Sequence, residues 1–179
     1  RFVWHLCRFP DRSAHTEYHI GLGNNNTFTN NITRNNSSRG FNILGTGNNF
    51  TGNVVSNNAG EGFYLNNGTN NNIFSINTVD SNNNYGFYLM TTASADTFYK
   101  NNWIGSPTQP DSAVRNRSAN NFDLSRNYWG TSDSIVISLR IINTGGVITY
   151  SPYRLGIVDT RAGADTIAPQ APASLYVDT

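Results

Sequence analysis

The chain has one cysteine, Cys7, and one lysine, Lys100, in 179 residues. A single thiol closes no intrachain disulfide, so the fold is held together without covalent staples. Charged residues make up 13% of the chain and the formal net charge is +1, where soluble domains carry about a quarter charged residues. The eleven arginines form no run, which excludes the basic stripes that grip nucleic acid or an anionic membrane surface. No apolar stretch is long enough to cross a bilayer. No window carries apolar residues at i, i+3, i+4 and i+7 over the length of a helix.

What the chain has in excess is asparagine, 29 residues, beside ten Phe, nine Tyr and three Trp. A polar chain poor in aromatics would be disordered. Here the aromatics are in phase. Phe28/Asn31, Phe50/Asn53, Phe74/Asn77 and Phe98/Asn101 recur at steps of 22, 24 and 24, and Gly40-Phe41, Gly62-Phe63 and Gly86-Phe87 keep the same period. A repeat of this length means stacked units, none of which can bury its own apolar side chains. Within a unit the pattern alternates: Phe63 and Leu65 face one way and Tyr64 the other, which is strand periodicity. The sequence therefore predicts an all-β right-handed parallel β-helix of about five coils, three short strands per coil, joined by Asn-rich turns. In the second coil the strands are expected near 40–44, 49–52 and 54–57.

Phe28, Phe50, Phe74 and Phe98 are expected inward on the second strand, and Val55, Val79 and Trp103 inward on the third. In the first coil the phase slips, with Ile32 rather than Thr33 expected inside. Asn31, Asn53, Asn77 and Asn101 are expected at a sharp corner in left-handed conformation, which Asn tolerates. There their amides would hydrogen-bond along the stack as a ladder.

Residues 1–17 lie outside the repeat, and Phe2, Val3, Trp4, Leu6 and Phe9 suit a cap on the first coil. The β-helix is expected over 18–157, with an insertion at 104–119 whose Pro107 and Pro110 forbid a central strand. The first-strand phase is expected to resume at 121–124. The alternation of Ile135, Ile137, Leu139 and Ile141 predicts a closing strand over 134–142. Residues 158–179, with Pro169 and Pro172, read as an extended linker and the start of a following module.

With these motifs in view, the chain resembles the right-handed parallel β-helix repeat proteins over about residues 18–155. That superfamily includes pectate-lyase-like enzymes, a carbohydrate-binding and sugar-hydrolase group, and a periplasmic copper-maturation family. The closing Asn127-Tyr128-Trp129-Gly130 and Gly146-Val147-Ile148-Thr149-Tyr150-Ser151-Pro152 are similar to the last coil of bacterial and archaeal surface proteins. The tail looks like the approach to a fibronectin type III-like domain. The resemblance implies a segment of a longer extracellular or cell-surface protein, but fold alone transfers no activity.

The outward column of the first strand is expected to be His19, Asn42, Tyr64, Tyr88 and Asp123. Tyr rings and Asn amides on such a face suit a polysaccharide, although neighbouring tyrosines also stack simply as cross-strand pairs. His19 and Asp123 lie about 19 Å apart at four strand spacings, too far for a dyad, and no phased acidic pair suits glycoside hydrolysis. Asp111, Arg115, Arg117, Asp123 and Arg126 form the one stretch with both signs of charge. His5, His15, His19 and Cys7 crowd the N-terminus without metal-ligand spacing, so no metal and no cofactor is expected. The leading expectation is a structural or adhesive module that binds polysaccharide. A polysaccharide lyase or glycoside hydrolase, and a filament or surface-layer subunit self-associating through coil ends, stay open beside it.

Overall fold

A computed structural model describes residues 3–5, 18–20, 23–105 and 112–158, with backbone alone for 3–5 and 18–20. Its strands, two to four residues each, run in chain order as β1 (Val3–His5), β2 (Tyr18–Ile20), β3 (Thr27–Thr29), β4 (Ile32–Arg34), β5 (Phe41–Ile43), β6 (Asn49–Thr51), β7 (Val54–Ser56), β8 (Phe63–Leu65), β9 (Ile73–Ser75), β10 (Thr78–Asp80), β11 (Phe87–Leu89), β12 (Thr97–Tyr99), β13 (Asn102–Gly105), β14 (Val114–Asn116) and β15 (Phe122–Asp123). A helix α1 (Ser134–Leu139) and strands β16 (Ile141–Asn143) and β17 (Ile148–Thr149) follow.

Successive strands of one coil join different sheets, and every described pairing is parallel. The first sheet stacks β1-β3-β6-β9-β12, the second β4-β7-β10-β13, and the third β2-β5-β8-β11-β14-β16, while β15 pairs β17. The chain is thus a parallel β-solenoid of about five coils, as the period requires. Partner residues match by repeat phase: Phe50 lies beside Phe74, Val55 beside Val79, Tyr64 beside Tyr88.

Two columns of Phe fill the interior. Phe28, Phe50, Phe74 and Phe98 stack at centroid distances of 4.9, 5.0 and 4.9 Å. Phe41, Phe63 and Phe87 stack at 5.0 and 4.8 Å. Across the core the columns meet edge to face, as at Phe63–Phe74 (5.2 Å, 75°), the arrangement ring quadrupoles favour. Trp103 and Trp129 continue the filling upward, 4.2 Å apart and both buried. The glycine of the Gly-Phe motif is required by close approach: a Cβ on Gly62 would sit 2.7 Å from the Gly86 carbonyl oxygen and 2.9 Å from Val79 Cγ1.

Each of the three corners carries its own amide column. Asn31, Asn53, Asn77, Asn101 and Asn127 form one; the backbone N and Nδ2 of Asn53 both donate to Asn77 Oδ1 at 2.9 Å, and each later rung repeats the bond. Asn26, Asn48, Asn72 and Asp96 form a second. Asn36, Asn58 and Asn82 form a third. The amide oxygens accept the backbone N–H of the ladder residue on the neighbouring rung, and the amide nitrogens donate to carbonyls such as those of Phe28 and Phe50, so these corner groups are satisfied.

Four expectations need correction. The left-handed residue is not the ladder Asn but the one before it: Asn30, Gly52, Ile76, Lys100 and Arg126 have φ between 55° and 68°. That turn aims the following amide into the corner, where it meets its neighbours. Thr33, not Ile32, points inward, since parallel register sets it beside Val55; its Oγ1 has no partner among the described residues. The stretch 104–119 is not wholly an insertion, because Val114–Asn116 pairs with Phe87–Leu89 as the next rung of the third sheet. The 27-residue step from Phe87 to Val114, longer than the regular 24, hid that phase. Residues 134–139 are helical rather than extended. Asp133 caps the helix by accepting from Ile135 N and Val136 N, and only Ile137 is buried. Most of the proposed cap 1–17, residues 106–111, and the tail beyond Val158 lie outside the described residues.

Candidate functional site

The outward face of the third sheet carries a ring-and-guanidinium stack. Each β11-type strand turns Phe and Leu inward, so the middle residue must face out. Tyr64 and Tyr88 occupy matched positions on β8 and β11, with centroids 5.1 Å apart and planes within 14°. The Arg39 guanidinium carbon lies 3.8 Å from the Tyr64 centroid. Its Nε donates to Glu61 Oε2 at 2.9 Å, which holds it over the ring. Next in register beyond Tyr88 is Arg115. Its guanidinium carbon lies 6.0 Å from the Tyr88 centroid and 5.7 Å from that of Tyr85, and its Nη1 donates to the Tyr85 hydroxyl at 3.1 Å. Arg117, exposed two residues on, donates to the Tyr88 hydroxyl at 3.3 Å. Tyr85 leans on Tyr88 at 5.6 Å and 54°.

Electrostatics follow the packing. Partial burial pushes the Tyr64 hydroxyl pKa up, against the pull of Arg39. The Tyr85 hydroxyl bond raises the pKa of Arg115. Among the described residues, Arg115 and Arg117 have no carboxylate within ion-pair distance.

The expected column is brought together in part. Tyr64 and Tyr88 stand as expected. Asn42 holds its register beside Tyr64 but is 5% exposed and accepts from Asn66 Nδ2, so its amide is engaged below the surface. His19 pairs with Asn42 through the backbone, and its side chain lies outside the described ones. Asp123 is not in the column. It sits on β15, beside Thr149, and accepts from Ser125 N. The rung assigned to it belongs to Arg115, because Val114 rather than Phe122 continues the Phe41–Phe63–Phe87 stack. Arg39, Glu61, Tyr85 and Arg117 were not placed in this face by the alternation pattern. Arg39 and Glu61 share a 22-residue step, the coil period, and that signal was present. An open groove of about 420 Å³ lies at the corner after the second sheet, lined by Asn35, Asn36, Ser37, Asn57, Asn58, Ala59, Ser81 and Asn83. It contains none of the expected site residues.

Compared with protein families, residues 13–146 match the periplasmic copper-binding protein family NosD. The chain belongs to the NosD family. Its solenoid is the fold that membership implies, and the periplasmic setting of NosD agrees with the location outside the cytoplasm that the sequence predicts. Among the described residues no helix is long and apolar enough to cross a membrane. Comparison with curated proteins and with solved structures gave no match. Copper is held by imidazole, thiolate and thioether donors. The described side chains of this NosD member include one of these, Met90, and no group of three His, Cys, Asp or Glu gathers among the described residues. The described coils do not fit a copper site. His5, His15, His19 and Cys7 fall in the segment whose side chains lie outside the described ones.

Proposed function

We propose that this extracytoplasmic β-solenoid is a binding module of a larger surface or secreted protein, and that it holds polysaccharide along the outward face of its third sheet. The observation that carries the reading is the Arg39–Tyr64–Tyr88–Arg115 stack. It runs parallel to the solenoid axis, so polar edges repeat at about 4.8 Å, the strand spacing. A linear polymer laid along the axis meets a hydroxyl or a guanidinium at every rung. The rigid rings cost little conformational entropy to hold in place. Stacking of the two tyrosines also stabilises the sheet, which accounts for part of their presence. The experiment is a glycan array probed with the wild type and with Tyr64→Ala/Tyr88→Ala. The reading expects binding that drops at least about tenfold in the double variant, the loss of roughly 1.4 kcal/mol or more. Binding that is absent from the wild type, or indifferent to both rings, defeats it. A polymer shortened on incubation would instead favour a lyase or hydrolase.

A further inference from the structure

From the packing of the stack we infer that the polymer is acidic, read through guanidinium N–H and tyrosine hydroxyl groups rather than by sugar rings lying on aromatic faces. The inference rests on the binding reading above and narrows it to a chemical class. Stacking on a tyrosine needs an open ring face, and Tyr64 has none. Arg39 covers it from the rung below at 3.8 Å and Tyr88 covers it from the rung above at 5.1 Å. Tyr88 is flanked by Tyr64, by Tyr85 at 5.6 Å and by Arg115 at 6.0 Å. What the face offers outward is therefore ring edges, hydroxyls and guanidinium forks. A neutral sugar would have to displace a cation–π or ring–ring contact to stack there.

Charge points the same way. Among the described residues the face gathers three arginines and one carboxylate, Glu61, which is already engaged by Arg39. Arg115 and Arg117 each spend an Nη1 bond on a tyrosine hydroxyl, which fixes the direction of the fork. A guanidinium has five N–H donors, so several remain on each. A planar carboxylate or a sulfate ester accepts two parallel bonds from such a fork. Arg115 lies in β14 and Arg117 one residue past its end, and both reach tyrosine hydroxyls of the same outward face. The chain as a whole carries a net charge of +1, so the attraction belongs to this patch and not to the molecule. That separates the inference from general affinity for nucleic acid, which needs many phosphates neutralised over a broad basic surface.

Affinity electrophoresis in native gels tests it, with the full chain run through neutral dextran, alginate, dextran sulfate or polyadenylate. The wild type should be retarded by alginate or dextran sulfate and not by dextran. Arg115→Gln/Arg117→Gln should weaken that retardation at least about tenfold, as loss of charged hydrogen bonds does. Arg34→Gln/Arg126→Gln removes the same charge from outside the patch and should leave retardation unchanged. Both changes sit at the surface, and an unaltered thermal transition checks that each variant folds. Retardation by alginate alone assigns a uronate carboxylate; by dextran sulfate alone, a sulfate ester; both outcomes support the inference. Retardation by dextran alone overturns it while leaving polysaccharide binding intact. Retardation by none of the three glycans overturns the inference, while the glycan array decides the binding reading separately. Equal loss in the two arginine pairs, or equal retardation by polyadenylate, reduces the effect to bulk charge and overturns it.

Discussion

Two of the three amide columns in the solenoid share a build but differ in how they end. Both place a left-handed residue just before each rung, and both pass hydrogen bonds from the backbone N and Nδ2 of one Asn to Oδ1 of the next. The column through Asn77 and Asn101 closes on Asn127, whose Nδ2 still donates to the Phe98, Leu124 and Ser125 carbonyls. The column through Asn48 and Asn72 ends on Asp96. Where Asn72 sends Nδ2 to the Gly45 carbonyl, Asp96 has Oδ2, buried with no partner among the described residues. An amide both donates and accepts, so it can continue a ladder in either direction, whereas an ionised carboxylate only accepts. The first column is complete, and the second stops on a group that burial penalises.

Cutting the complete column should have the largest effect. Asn77→Ala removes the acceptor of Asn53 N and Nδ2 and the donor to the Phe50 carbonyl, and takes one donor from Asn101 Oδ1. Each buried polar group left unsatisfied costs about 1–3 kcal/mol. The expected loss is therefore about 3–6 kcal/mol, read as a lower urea midpoint. A loss below about 1 kcal/mol would mean that water or relaxation repairs the gap and that the column is not what holds the corner.

Completing the unfinished column should act in the opposite direction. Burial raises the Asp96 pKa from 3.8 to about 6, although hydrogen bonds from Asn72 N and Nδ2 pull it down. The folded chain then holds this proton more tightly than the unfolded chain does. Its stabilising contribution is full below pH about 4, is lost as pH rises toward about 6, and stays flat above. A shift of this size corresponds to about 3 kcal/mol. Asp96→Asn should abolish that pH dependence and, above pH 6, stabilise the chain by up to about 3 kcal/mol. Thermal melts of both proteins at pH 4 and pH 8 check this. A variant that is no more stable at pH 8 would show that Oδ2 is solvated in the folded state.

How far the sequence speaks depends on whether a residue's phase or its direction is asked for. The Phe columns were legible because an apolar residue every 22 to 24 positions has no other use in so polar a chain. One amide column of three was legible because Asn53 and Asn77 follow a phased Phe. Asn48, Asn58 and Asn82 sit in Asn-Asn pairs, where spacing alone does not say which amide turns inward. The same ambiguity put the left-handed conformation on Asn77 instead of Ile76. In the site, Tyr64 and Tyr88 were legible as alternating outward residues. Arg115 was not, since the sequence between Phe87 and Val114 runs 27 residues rather than the regular 24, which shifts the phase of the next rung. Nor was the loss of open ring faces, because Arg39 comes from a corner and no strand rule gives its direction. Ile135 and Leu139 alternate with Ile137 yet are both 71% exposed; six residues are too few for periodicity to separate a strand from a helix capped by Asp133.

The corner residues that precede the two columns give the smallest and most local test. In the column that ends on Asp96 they are Asn25, Gly47, Asn71 and Ala95; in the complete one they include Ile76, at φ 58°. A β-branched side chain is the least suited to that region, because its Cβ substituents crowd the following carbonyl. The register nevertheless requires the turn, since Asn77 reaches its buried neighbours only if the preceding residue bends the chain this way. Packing and the ladder therefore hold a strained residue in place at a cost of about 1–2 kcal/mol. Ile76→Asn puts at this corner the residue type that already stands at Asn30 and Asn71. Ile76 is half-buried, so the change also gives up some apolar contact. The net expectation is a gain of about 0.5–1 kcal/mol, visible as a small rise in Tm. Ala95→Gly, which leaves no Cβ to strain, should gain a similar amount in the other column. If Ile76→Asn is destabilising while Ala95→Gly is stabilising, burial of the isoleucine outweighs its backbone strain, and the two columns differ in packing as well as in their last residue.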